Sequence, residues 1–190
     1  MFILGHLGFS AAPAALATRW WGENRGFSGK VPDMRWFLVG ALLPDLVDKA
    51  VGQVFFKPYF ENGRIYLHTF LLAVMLLTVG FYNLKRRRNS DLLLLALGVV
   101  SHLVLDKVWV EPTTALWPSL GPFLRHPSLK SLWGQVMGYL SDPLFWVSET
   151  GGLALLVLAF RVLGVKSLHE LREFILHGSS PELVTLEEGN

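Results

Sequence analysis

Residues 98–110 read GVVSHLVLDKVWV. They close a run that opens as DLLLLALGVV at 91–100 and is apolar enough for a membrane-spanning helix. His102 and Asp106 nevertheless sit inside it. A carboxylate at the centre of such a helix costs on the order of 2.5–3.5 kcal/mol, so the pair needs a compensating role. Four residues apart on a helix, the two side chains share one face. Gly98, one turn below His102, lets a neighbouring helix come close.

The rest of the chain fits that reading. It has 190 residues, of which 52% are hydrophobic and only 17% charged. Mean hydropathy is +0.41, too apolar for an ordinary soluble domain. Five apolar segments stand out, at about 2–18, 34–52, 65–84, 91–110 and 143–165. The expected fold is all-α, a polytopic membrane bundle of four to five transmembrane helices. A membrane β-barrel would alternate polar and apolar residues, and LLLLALGVV does not. Residues 1–165 form the expected membrane-embedded domain. Residues 166–190 form a cytoplasmic extension: an amphipathic helix, KSLHELREFILHG, then the acidic PELVTLEEGN, expected to be disordered. The chain has no cysteine, which excludes disulfides and thiolate metal sites.

The N-terminus, MFILGHLGFSAAPAALATRW, has small residues like a signal-peptide cleavage region. Its first basic residue, Arg19, follows the apolar stretch instead of preceding it. We read 2–18 as a retained helix that either spans the membrane or lies on it. Basic residues favour the cytoplasmic side of short loops. KRRR at 85–88 places that turn inside, and alternation puts 11 basic residues inside against 6 outside. The N-terminus is then outside and the C-terminus cytoplasmic. Trp20, Trp21, Trp36 and Tyr82 fall near the inner interface, and Tyr59, Tyr66, Trp109, Trp117 and Trp146 near the outer one. The net charge of +2 reflects these ends and does not indicate nucleic-acid binding.

Asp45, Asp48, His68, His102 and Asp106 all fall in the outer halves of their segments, as does His6. Pro44 is expected to kink the second segment where its carboxylates point inward. Neutral imidazoles and carboxylates meeting in a dry pocket suit a divalent cation. Zn2+ takes three or four such ligands at about 2.0–2.2 Å, and Mn2+ or Fe2+ accept the same set. Asp45, His68, His102 and Asp106 are the expected ligands. His6 and Asp48 are candidates to hold a second metal or to support the ligands of the first, and His6 fits equally well as an interface residue. Asp48 and Glu149 are candidate acid or base groups, although Glu149 fits equally well as a cap or an ion-pair partner. Arg64, one turn before His68, either binds a phosphate or carboxylate of the substrate or snorkels to the interface. His126, His169 and His177 are expected in solvent, although His126 is on the correct side to join a second metal.

At these residues the chain resembles the YdjM-type family of bacterial inner-membrane metal-dependent hydrolases. That pattern has an early His, then G-x-x-x-P-D-x-D, R-G-x-T-H-S, a helix with S-H-x-x-x-D, and a loop ending in W-P. The matches are His6, GALLPDLVD (40–48), GRIYLHT (63–69), SHLVLD (101–106) and ALWP (115–118). They cover roughly residues 1–120. The second Asp falls one residue late, and Thr69 replaces Ser. The ligand order is also similar to one metal site of zinc-dependent phospholipase C, whose later His-x3-Glu motif is missing here. The resemblance implies a metal-dependent hydrolase. Its expected partners are membrane lipids and its expected substrate is a lipid-like ester or phosphoester. The loop 111–142, with Trp117 and Trp133, is expected to cover the pocket. Two other readings stand beside this one. In the first, a non-enzymatic protein uses its buried His and Asp to fasten helices or to hold a structural metal. In the second, a module recruits a partner through its C-terminal tail.

Overall fold

A computed structural model of the chain describes residues 3–25, 32–125 and 132–178. Lys30, His126, Lys130, the acidic tail 181–190 and the Trp21 side chain lie outside the described residues. Within them every regular element is helical. The long helices are α1 (Ile3–Arg25), α2 (Met34–Lys49), α4 (Phe70–Arg87), α5 (Asp91–Leu105) and α8 (Pro143–Val162). The shorter ones are α3 (Lys57–Phe60), α6 (Pro112–Ala115), α7 (Leu132–Leu140) and α9 (Leu168–His177). A π-helical turn, Ala50–Phe55, continues α2, and 3-10 turns at Tyr66–His68 and Val108–Val110 flank α4 and follow α5.

The helix ends follow local chemistry. Asp33, Thr69 and Asp142 are N-caps whose side chains accept amides of α2, α4 and α8, relieving donors that have no helical partner. Lys85, Arg86 and Arg87 fill the last turn of α4, where the helix dipole favours cations. Helix α2 runs through Pro44 without ending, and its ladder then widens into the π turn. Helix α5 stops at Leu105, and Lys107 takes a left-handed conformation that turns the chain.

Two close helix pairs build the body. Gly40 of α2 faces Leu95 of α5, and Gly98 of α5 faces Phe37 and Ala41 of α2; a methyl at either glycine would strike backbone. The two backbones therefore approach closely, as small residues permit. Gly8 of α1 and Gly152 of α8 do the same for the second pair. One apolar cluster joins Ala11, Ala15, Met34, Phe37, Ala159 and Phe174. Another gathers Val99, Leu103, Val108 and Ala115 around α5. Helix α9 folds back onto the body. Phe174 packs edge-on to Phe160, and Arg35 Nη1 donates to the carbonyls of Ile175 and Leu176 at the end of α9. Ser167 and Glu170 form a capping box at its start. The Lys166 amide in particular holds the Glu170 carboxyl below its usual range.

Among the described residues one helix, α8, is long and apolar enough to cross a membrane by itself. The 91–110 segment yields a 15-residue apolar helix, α5, which is shorter than a bilayer core requires. The expected 2–18 segment, described from Ile3, and the 34–52 segment are helical without a break, in α1 and in α2 with its π turn, whereas the start of another is interrupted near the cluster of polar residues. The 65–84 segment becomes helical only from Phe70, because residues 61–69 form a loop and a 3-10 turn.

Candidate metal centre

The elements that break early are the ones that build the site. Asp48, near the end of α2, is fully buried. Its carboxylate accepts the amides of Ile65 at 2.9 Å, Leu67 at 3.0 Å and His68 at 3.2 Å. This one side chain gathers the 65–68 turn and seats His68 against α2. His68 Nδ1 then donates to Asp48 Oδ2 at 2.7 Å. On α5, the close approach at Gly40 and Gly98 brings His102 Nδ1 within 2.8 Å of the Ala41 carbonyl. A carbonyl only accepts, so His102 carries its proton on Nδ1.

Both Nε2 atoms are thereby left as lone pairs in the neutral rings, and they face one another at 3.3 Å. Two lone pairs at that distance repel unless a proton or a cation lies between them. Asp45 Oδ1 stands 3.8 Å from each Nε2. Asp106 Oδ2 stands 3.6 Å from His68 Nε2 and 3.9 Å from His102 Nε2. These four side chains offer one ligand atom each, all within 4.8 Å of one another. For ligands at about 2.05 Å, a tetrahedral edge is about 3.3 Å, which matches the imidazole pair. The carboxylates need to close by a few tenths of an ångström. Soft thiolates are absent, and the N2O2 set suits Zn2+, Mn2+ or Fe2+.

Burial grades outward across the site. The side chains of His68 and His102 are 0% exposed, Asp106 8% and Asp45 18%. Glu111 reaches 29% and Arg64 38%. The opening therefore lies along the edge shared by Arg64 and by Lys49, which is 43% exposed beside Asp45. Arg64 Nη2 lies 2.9 Å from Asp106 Oδ2, and its Nη1 lies 3.7 Å from Glu111 Oε1. Lys49 Nζ donates to Asp45 Oδ2 at 2.6 Å, leaving Oδ1 turned toward the imidazoles. Beyond the opening, Trp117 stacks on Phe123 at 5.2 Å, and Tyr66 meets both rings edge-on. The 111–125 segment is thus pinned over the 60–66 loop, and the Asn62 side chain, donating to the Leu124 carbonyl, ties it further.

The other expected site residues are placed as follows. His6 is buried, its ring stacked on His102 with centroids 4.1 Å apart and planes 23° from parallel. Its Nε2 lies 3.2 Å from Asp106 Oδ1. That is ion-pair distance, but the alignment does not make a hydrogen bond. Glu149 is buried at the start of α1, where it accepts the Leu4 and Gly5 amides at 2.9 and 3.2 Å. It caps a helix that is not its own. Asp48 and Glu149 are both engaged by backbone amides, so geometry gives their expected acid or base work no support. His177 is exposed and pairs with Glu173 at 3.0 Å. Sequence reasoning missed Glu111 and the Ala41 carbonyl. Glu111 lies in the stretch VEPTT next to a proline, which reads as a loop. A backbone acceptor leaves no sequence signal at all.

No curated protein and no solved structure matches the chain. A family model described as YdjM inner membrane protein matches residues 1–171. That span holds all four clustered side chains and the His6 helix, and it ends within the first turn of α9. The chain therefore belongs to the YdjM inner membrane protein family.

Proposed function

We propose that this protein is a multi-pass, membrane-embedded, metal-dependent hydrolase acting on an ester or phosphoester of a lipid-like molecule. One observation carries the proposal. Two imidazoles whose Nδ1 protons are already committed turn bare Nε2 atoms toward each other, with two carboxylates alongside. A bound Zn2+, Mn2+ or Fe2+ supplies Lewis acidity and a water acidified to a pKa near about 7. The protein residues do the rest. Asp48 and Ala41 fix both tautomers. Arg64, at the open edge, binds an anionic oxygen of the substrate in place of its contact with Asp106. The Trp117–Phe123 stack and Tyr66 offer an apolar rim for an acyl chain.

Multi-pass insertion is supported by surface chemistry. Leu46, Val74, Met75, Phe81, Leu144 and Val147 are all exposed. A surface so apolar on α2, α4 and α8 suits lipid, not water. Trp20, Trp36 and Tyr82 toward one end, and Tyr59, Trp109 and Trp146 toward the other, are exposed as interfacial rings would be. With the KRRR turn inside, the N-terminus is outside and the metal centre faces the outer leaflet.

A specific observation favours a second reading. Four protein ligands can fill a tetrahedral zinc, and structural sites are closed in this way. Metal analysis of purified protein, with His102→Ala as control, tests the centre itself. Lipid-ester and phospholipid hydrolysis, assayed with and without chelator, separates the two readings. Turnover abolished by chelator and restored by metal supports the hydrolase. Bound metal without turnover on any of those substrates supports the structural clasp.

A further inference from the structure

The two oxygens of Asp106 face different partners. Oδ2 points toward His68 and His102, whereas Oδ1 lies 3.2 Å from His6 Nε2. His6 is 1% exposed; its Nδ1 has no partner among the described residues, and its Nε2 meets the Asp106 oxygen in a contact too poorly aligned for a good hydrogen bond. A buried imidazole in that condition is costly unless something ligates it. We infer that a second divalent cation sits between His6 Nε2 and Asp106 Oδ1, with Asp106 bridging it to the cation of the four-residue centre.

Three features of the geometry fit. An N···O separation of 3.2 Å subtends about 100° at a metal with bonds near about 2.1 Å, a normal angle between adjacent ligands. The His6 and His102 rings are stacked with centroids 4.1 Å apart and nearly parallel, and each turns its Nε2 toward one oxygen of Asp106. Cations on the two Nε2 atoms would therefore lie about 4 Å apart, the separation found in two-metal hydrolytic sites. A bidentate carboxylate bridge spans that distance. Among the described residues two protein groups hold the second cation, and solvent or substrate oxygens complete its shell. It is therefore the weaker and more exchangeable of the two, and it favours Mn2+, which keeps oxygen ligands readily.

This inference rests on the four-residue centre proposed above, and the experiment separates the two. The full-length chain is purified in detergent, dialysed against Mn2+, and analysed for bound metal per chain and by EPR. Wild type is expected to bind two Mn2+ with an exchange-coupled spectrum. His6→Phe keeps the stacking on His102 and removes both nitrogens. It is expected to bind one Mn2+ with an uncoupled six-line spectrum, and His6→Ala the same. One Mn2+ in both wild type and His6→Phe overturns the second site and leaves the first standing. Two in both places the extra ion elsewhere and also overturns it. None in wild type removes the primary centre, and the inference with it.

Discussion

Asp48→Asn isolates the residue on which the centre's geometry depends. Its carboxylate serves four donors: the amides of Ile65, Leu67 and His68, and His68 Nδ1. Hydrogen bonds to a charged group contribute about 1.5–3 kcal/mol and neutral ones about 0.5–1.5 kcal/mol. Asparagine keeps one acceptor oxygen but no charge. At about 1–1.5 kcal/mol per bond, four donors sharing that oxygen would together lose about 4–6 kcal/mol. For the metal, the loss of an orienting carboxylate behind a ligating histidine typically costs about 10–100-fold in affinity. The assay is competition for Zn2+ against a chromophoric chelator, with helical content and thermal melting followed on the same samples. We expect the variant to fold, melt earlier than wild type, and bind Zn2+ about 10–100-fold more weakly at unchanged stoichiometry. A folded Asp48→Asn protein with wild-type Zn2+ affinity would refute the reasoning, because it would show that the tautomer and angle of His68 need no anchor.

Three further outcomes follow from the packing and the capping. Gly98→Ala drives a methyl into the Phe37 carbonyl and is expected to cost about 1–3 kcal/mol by overpacking; denaturant unfolding in micelles reads the stability, and a parallel fall in metal affinity reads the displacement of His102. Arg64→Ala removes a half-exposed group that donates no ligand; metal content should remain at wild-type level while KM for an anionic lipid ester rises about tenfold or more, the loss expected of a charge-assisted contact. Ser167→Ala breaks the capping box of α9 and is expected to destabilise that helix by about 1 kcal/mol, seen as faster amide exchange across 168–177 with metal binding unchanged.

The sequence made the site more legible than the bundle. His102 and Asp106 declared themselves because an imidazole and a carboxylate inside an apolar run demand an explanation, and Asp45 and His68 followed by depth along their segments. Spacing of this kind survives folding, since four residues on a helix share a face whatever surrounds it. The role of Asp48 was harder to see. A carboxylate three residues from Asp45 reads as another ligand or an acid, and only the loop folding back onto it reveals that it collects amides. Glu149 shows the same limit. Its partners, Leu4 and Gly5, are at the far end of the chain, and no local pattern announces a cap supplied by another helix. Segment lengths misled where the site intervenes. The apolar run at 65–84 suggested a helix from its first residue, but the amides of residues 65, 67 and 68 are spent on Asp48 instead of on a helical ladder. The π turn at 50–55 has no sequence signature comparable to a proline or a cap.

The docking of α1 against α8 has a consequence for biogenesis. His6 is the first of the site's side chains to leave the ribosome, yet the helix that carries it docks through Leu4, Gly5 and Gly8 on Glu149 and Gly152, translated more than a hundred residues later. Asp45, His68, His102 and Asp106 can meet as soon as the elements that carry them have been made. A nascent chain halted before residue 143 would therefore assemble the inner quartet with its opening helix held only by α2 and α5, and the arrival of the last long helix would be the event that completes its docking.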